Sequence, residues 1–236
     1  MSNSQNDNST NGKKFIFVSG PIGAGKSTTV EELAALLGNE NPTVIKEYID
    51  FDREGDMKLN EYLRGDMECI DFQMYILKCY EEQFKTATGN VIIMERHPFE
   101  GLVFASQKLA HEELTILYHA MVHYCIAAEI PLPQHCTVRT YDTTRPNVAE
   151  MICQDLRWHN NLICHLSVPE NEQVRRLLVR GRQSDIQYIG ERNMEYLRKN
   201  NEIYRALEQC RYHMTPHYWT VFYRNKTDPL PFVENE

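Results

Sequence analysis

Apolar and polar positions along the chain follow two alternating periods. Short apolar runs, which read as buried strands, occur at 15–19, 43–47, 90–95, 161–167 and 217–223. Between them, residues 27–37, 58–64, 66–86, 99–127, 147–158, 170–181 and 190–210 carry apolar side chains at helical spacing. Strand–helix alternation predicts an α/β fold: a parallel sheet of about five strands, flanked by helices. Segment 66–86 is apolar on nearly all sides and predicts a buried helix. Segment 99–127 reads as one long helix, and its Leu102, Phe104, Leu109, Leu114, Leu117 and Met121 suffice for either core or interface. Residues 129–146, with Pro131, Pro133 and Pro146, have neither period and read as the least regular stretch. The Asn/Ser-rich residues 1–14 read as a disordered polar tail, and 15–236 as a single domain.

The first strand and helix enclose Gly20-Pro21-Ile22-Gly23-Ala24-Gly25-Lys26-Ser27, a match to G-x-x-x-x-G-K-[ST]. Strand, glycine loop and helix together form a cradle for the phosphates of a nucleotide. Glycines let backbone N–H groups converge on phosphate oxygens, and Lys26 adds a point charge. The Ser27 hydroxyl is placed to ligate Mg²⁺, and the helix N-terminus at Ser27 and Thr28 favours an anion. This predicts a P-loop domain that binds a nucleoside triphosphate and Mg²⁺.

Composition narrows the class. The net charge is −8, which disfavours nucleic acid as a partner. An acidic chain must gather positive charge locally to hold a nucleotide. Seven cysteines without a C-x-x-C pair fit free thiols in a reducing compartment. No apolar run is long enough to span a bilayer, so no membrane is expected, and the cytosol, or else the nucleus, is the expected location.

Charged residues recur where strands end. In open α/β sheets, ligands bind beyond the carboxyl ends of the strands. Glu47 closes the second strand and is placed to accept a proton from a substrate hydroxyl; a solvent-facing loop carboxylate is the plainer alternative. Glu95-Arg96-His97-Pro98 follows the third strand: Glu95 is placed to hold Mg²⁺ and Arg96 to orient an attacking oxygen, unless the two form only a capping ion pair. Arg175, Arg176, Arg180 and Arg182 crowd one helix, a repulsive arrangement unless an anion sits among them. They predict a lid over the ATP phosphates, with a solvated basic face as the alternative. Gln73, within the buried helix, needs amide partners, either a nucleobase edge or a backbone carbonyl. Three other signals carry less weight. His119 and His123 stand at i,i+4 without the glutamate of a zinc helix. Asp52–Gly55 and Asn225–Asp228 imitate a GTPase, but too few residues follow Asp228 for the strand and helix that such a fold requires.

Together these residues resemble the deoxyribonucleoside kinase family, and E-R-H-P is similar to its herpesvirus thymidine kinase branch. The resemblance runs from the P-loop to the arginine lid. It implies Glu47 as catalytic base, Glu95-Arg96 as the acid–arginine motif and Phe72-Gln73 as the base reader, with Ile76 on the same helix. It implies Tyr62 and Asp185 as sugar ligands, and Arg176, Arg180 and Arg182 as lid arginines, Arg176 on ATP and the other two catalytic. Gly20, Gly23, Ala24, Gly25, Lys26, Ser27 and Thr28 would bind ATP. Three positions depart from the family pattern: Tyr80 and Gly101 replace an arginine and an aspartate that help set base preference, and Tyr48 stands where proline is frequent. The expected activity is ATP-dependent 5′-phosphorylation of a deoxyribonucleoside, pyrimidine and thymidine first, in nucleotide salvage. The alternatives are a thymidylate kinase and a GTP-dependent switch protein. The family also implies a homodimer, with 66–86 and 99–127 as its interface.

Overall fold

The computed structural model describes residues 12–106, 108–182 and 194–209. Five strands form one wholly parallel sheet: β1 (Lys14–Ser19), β2 (Thr43–Ile45), β3 (Val91–Glu95), β4 (Thr137–Asp142) and β5 (Asn161–Ser167), in the order β2-β3-β1-β5-β4. β1 begins at the last residue of the expected polar tail. The central strands are buried on both faces, which is why they read as continuous apolar runs. Phe15, Phe17, Ile45, Ile92, Met94 and Ile163 point to one layer. Ile16, Val18, Val91, Ile93, Leu162, Cys164 and Leu166 point to the other.

The second layer holds α1 (Lys26–Leu36) and α7 (Val148–Asp155). The first holds α3 (Gly55–Arg64), α4 (Cys69–Phe84), α5 (Gly101–Ala105), α6 (His111–Ala127) and α9 (Met194–Gln209). The short α2 (Tyr48–Phe51) follows β2, and α8 (Glu170–Arg180) follows β5.

Three readings of the sequence change. The stretch 129–146 contains β4, an edge strand in which Arg139 and Thr140 are exposed and only Tyr141 is buried, so no apolar run announces it. The expected helix 99–127 is broken. A 3-10 turn at Pro98–Glu100 leads into α5, and α6 restarts at His111 with Leu109 in the break. Ala110 N donates to Glu113 Oε2, so a side chain supplies the start of α6. α4 is buried on one face only, through Phe72, Gln73, Leu77, Tyr80 and Gln83, while Met74 and Lys78 face out. The expected strand 217–223 lies outside the described residues.

Because all strands are parallel, their carboxyl ends meet along one edge of the sheet. That edge carries Gly20 after β1, Glu47 after β2, Arg96 after β3, Thr143 after β4 and Val168 after β5.

Candidate functional site

A cavity of about 410 Å³ opens along this edge. Its lining includes the glycine loop (Gly23, Gly25, Lys26, Ser27, Thr28), Glu47, Glu95 and Arg96, and the aromatic residues Tyr48, Tyr62 and Phe72. The size is that of an ordinary small-ligand site.

The loop conformation depends on its glycines. Gly20 has φ +139°, and a Cβ there would lie 2.7 Å from the Leu166 carbonyl oxygen, so β5 permits no side chain. Gly25, at φ +96°, caps α1. Lys26 is buried and its Nζ donates to the Pro21 carbonyl at 3.2 Å, folding the ammonium back over the loop. Burial and the nearby Arg96 push its pKa down.

Two carboxylates and one arginine face this loop. Ser27 Oγ donates to Glu95 Oε1 at 3.0 Å. Burial first, then repulsion from Glu47, raises the pKa of Glu95. Glu47, just before α2, pairs with Arg96 Nε. Burial pushes the Glu47 pKa up, but Arg96 and Lys26 outweigh it and hold the carboxyl well below the usual range. Gln83 positions Glu47 through its neighbour: its Oε1 accepts from Lys46 N at 2.8 Å and its Nε2 donates to Lys46 O at 2.9 Å. Tyr80 OH donates to the Glu95 carbonyl at 3.1 Å and so pins the end of β3. Arg96 itself has left-handed backbone, φ +72°, which a non-glycine residue holds only when its surroundings impose it.

In the same cavity, the Tyr62 and Phe72 rings stack at 4.5 Å, and Tyr48 meets Phe72 edge-on at 5.3 Å. Tyr62 OH pairs with the Cys69 thiol at 3.7 Å, and Lys108 Nζ lies 4.0 Å from the centre of the Tyr62 ring. Ile76 and Gln73 complete the wall. Gln73 is 1% exposed, and its Oε1 has no hydrogen-bond partner among the described residues. A buried amide oxygen left unpaired is costly, and here it belongs to a cavity wall. Behind it sits Gly101, where a Cβ would approach Gln73 Oε1 to 2.7 Å.

The family model for deoxynucleoside kinases matches residues 16–141, more than half of the chain. The chain belongs to the deoxynucleoside kinase family. It is therefore a nucleoside kinase, and the matched segment carries the glycine loop, Glu47, the Phe72-Gln73 wall and Glu95-Arg96. No curated protein sequence matches it. Among solved structures it is similar to deoxyadenosine kinase from M. mycoides. The form with bound dCTP has 18% identity and a TM-score of 0.52, over 90% of this chain and 97% of that one. The form with products dCMP and a flexible dCDP has 20% identity and a TM-score of 0.51, over the same shares. At such identity the likeness concerns the fold.

The kinase's arginine helix also makes contacts with protein groups. Arg176 is committed to protein groups: Nη1 donates to the Ala24 carbonyl at 3.0 Å, Nη2 to the Thr143 carbonyl at 3.0 Å, and Nε to Glu172 at 2.8 Å. It braces the loop against the end of β4, and with Arg175, Arg180 and Arg182 it also lines the cavity. Arg175 also pairs with Glu172, so a carboxylate relieves much of the expected repulsion within the helix. Arg182 Nη2 donates to Asp50 Oδ1 at 2.7 Å, linking the end of the arginine segment to α2. Arg180 is near enough to Glu47 to lower its pKa. Asp185 lies outside the described residues, as do Asn225–Asp228. Asp52 of the GTPase-like pair is used locally, accepting from Glu54 N at 3.1 Å and Tyr75 OH at 2.8 Å.

Sequence reasoning missed Gln83, Glu100 and Tyr204. Glu100 and Tyr204 both hydrogen-bond to Arg96 from behind. Glu100 stands five residues after Glu95 and could have been suspected from that spacing; Tyr204 carries no sequence signal.

Proposed function

We propose that this kinase transfers the γ-phosphoryl group of ATP to the 5′-hydroxyl of a pyrimidine deoxyribonucleoside, thymidine first. The observation that carries the reading is the unpaired Gln73 amide oxygen in a cavity that also holds the Tyr48, Tyr62 and Phe72 rings, the Glu47–Arg96 pair and the glycine loop. An amide offers one acceptor and a paired donor, the complement of the N3–H and O4 edge of thymine.

In this reading Tyr62 and Phe72 hold the nucleoside, Tyr62 with Asp185 at the sugar, and Ile76 packs beside the base. Glu47 takes the 5′-hydroxyl proton. Its depressed pKa makes it a weak base, which suits a loose phosphoryl-transfer transition state in which positioning outweighs proton abstraction. Arg96 holds the 5′-oxygen. Lys26 and the backbone amides of Gly23 to Thr28 bind the phosphates, and Arg180 and Arg182 neutralise charge on the transferring group. Arg176 supports the ATP site by bracing the loop. Ser27 and Glu95 fit Mg²⁺: one hydroxyl and one carboxylate already meet there, and this ion is usually bound by few protein oxygens together with substrate phosphates. The ion would supply neutralisation of phosphate charge. Glu47 would repel a nucleoside monophosphate, which argues against a thymidylate kinase. Exposed Met74, Ile116 and Ile126 on α4 and α6 support a homodimer through that face.

ATP turnover with Mg²⁺ across the four deoxynucleosides, thymidine monophosphate, and GTP as donor tests the reading. Thymidine should turn over fastest. Preference for deoxyadenosine, the substrate named for the M. mycoides neighbours, would overturn the base assignment. Turnover of the monophosphate alone would overturn the acceptor assignment.

A further inference from the structure

Helix α9 carries no motif and lies outside the residues that match the family, yet it reaches the centre of the site. Tyr204, 1% exposed, donates from its hydroxyl to Glu100 Oε2 at 2.8 Å and accepts from Arg96 Nη1. Glu100 is fully buried and both of its oxygens are used: Oε1 accepts from His97 N at 3.0 Å, Oε2 from Arg96 Nη1 at 3.2 Å and from Tyr204. Arg96 Nη1 also donates to the Gly20 carbonyl at 3.0 Å, and the guanidinium lies 5.1 Å and 5.9 Å from the centres of the Phe104 and Tyr204 rings. Nε is taken by Glu47. Nη2 is left without a hydrogen bond among the described residues. A buried carboxylate needs a matched charge and filled lone pairs. Glu100 has both only while Arg96 keeps this orientation.

One turn earlier on α9, Asn201 exchanges hydrogen bonds with Gln173 of α8 at 2.9 and 3.2 Å, and Gln173 also donates to the Ile22 carbonyl in the glycine loop. The same helix thus holds both the loop and the arginine.

We propose that Glu100 and Tyr204 are positioning residues for phosphoryl transfer, fixing the guanidinium of Arg96 so that its free Nη2 meets the reacting oxygen. This rests on the role given to Arg96 above. The reacting oxygen must be held within a fraction of an ångström, and an arginine side chain on its own is too flexible to do so. The anchors therefore act on the chemical step and not on substrate binding.

The test uses the full chain and the deoxynucleoside turned over fastest. Tyr204→Phe keeps the ring and removes the hydroxyl; Glu100→Gln keeps the shape and removes the charge, and it carries the test if the first variant does not fold. Each should lower kcat about tenfold or more, with both KM values within about threefold of wild type. Because the anchors act through Arg96, Tyr204→Phe should cause little further loss in an Arg96→Lys background. Wild-type kcat in Tyr204→Phe, or a full multiplicative loss in Arg96→Lys, overturns the proposal. Wild-type turnover in Arg96→Lys overturns the role of Arg96 itself, and the proposal with it. Impaired Arg96→Lys beside unimpaired Tyr204→Phe removes the anchors alone.

Discussion

Replacing Gly101 by alanine probes the acceptor site through a residue that makes no side-chain contact of its own. Gly101 has ordinary helical angles, φ −54° and ψ −33°, so alanine gains up to about 1 kcal/mol in helix propensity. Its Cβ would lie 2.5 Å from Met121 Cε and 2.7 Å from Gln73 Oε1. Both atoms end flexible side chains, and both must move. Overpacking of this kind costs about 1–3 kcal/mol, so the net loss of stability should be about 0–2 kcal/mol. Gln73 moves only by swinging its amide away from the place where its oxygen now stands unpaired. Two hydrogen bonds to a base edge, at about 1 kcal/mol each, would be lost. That is about 2 kcal/mol of nucleoside binding, or a rise of roughly thirtyfold in nucleoside KM. The KM for ATP should stay within about twofold, since the glycine loop is untouched. Steady-state kinetics with each substrate varied, together with a melting curve, measures all three quantities. A folded variant with unchanged nucleoside KM would refute the placement of Gln73 at the base.

Further outcomes can be measured on the same preparation. Glu47→Gln should lower kcat by about a hundredfold with ATP affinity nearly unchanged; equal turnover would remove Glu47 as proton acceptor. Gln83→Leu strips partners from Lys46 N and O and from the Cys79 carbonyl. It should cost about 2–3 kcal/mol in denaturant unfolding and lower kcat through Glu47; a variant as stable as wild type would contradict this. Acid should destabilise the fold before most carboxylates titrate. His97 is buried and neutral, Nδ1 accepting from Phe99 N and Nε2 facing the Pro131 carbonyl, and burial lowers its pKa to about 4. The unfolded chain binds this proton at higher pH than the folded one, so the His97 contribution is complete above about pH 6.5 and is lost as the pH falls towards 4. Buried His165 shifts in the same direction. A melting temperature unchanged between pH 7 and 5 would rule this out.

The parts of the site legible in the sequence are those whose geometry is set within a few residues. A glycine loop between strand and helix needs only local dihedrals, and the structure places Gly20 to Thr28 as expected. The strand runs at 90–95 and 43–47 put Glu95, Arg96 and Glu47 at the carboxyl edge because a parallel sheet aligns such ends. Edge strand β4 escaped because a half-exposed strand has no continuous apolar run. The break between α5 and α6 escaped because its stop is made by buried and capping contacts and not by proline or glycine.

The sequence by itself determined the α/β class, the glycine loop between strand and helix and the charged residues at the strand ends, since short-range periodicity and backbone freedom are properties of neighbouring residues. Only the tertiary structure decided what each charge faces. It committed Arg176 to Ala24 and Thr143, left the Gln73 oxygen unpaired in the cavity wall, and set Glu100 and Tyr204 behind Arg96. Tyr204 meets Glu100 across 104 positions of chain. No local pattern encodes such a pairing, because it exists only once the burial of both helices has brought one polar group to satisfy the other.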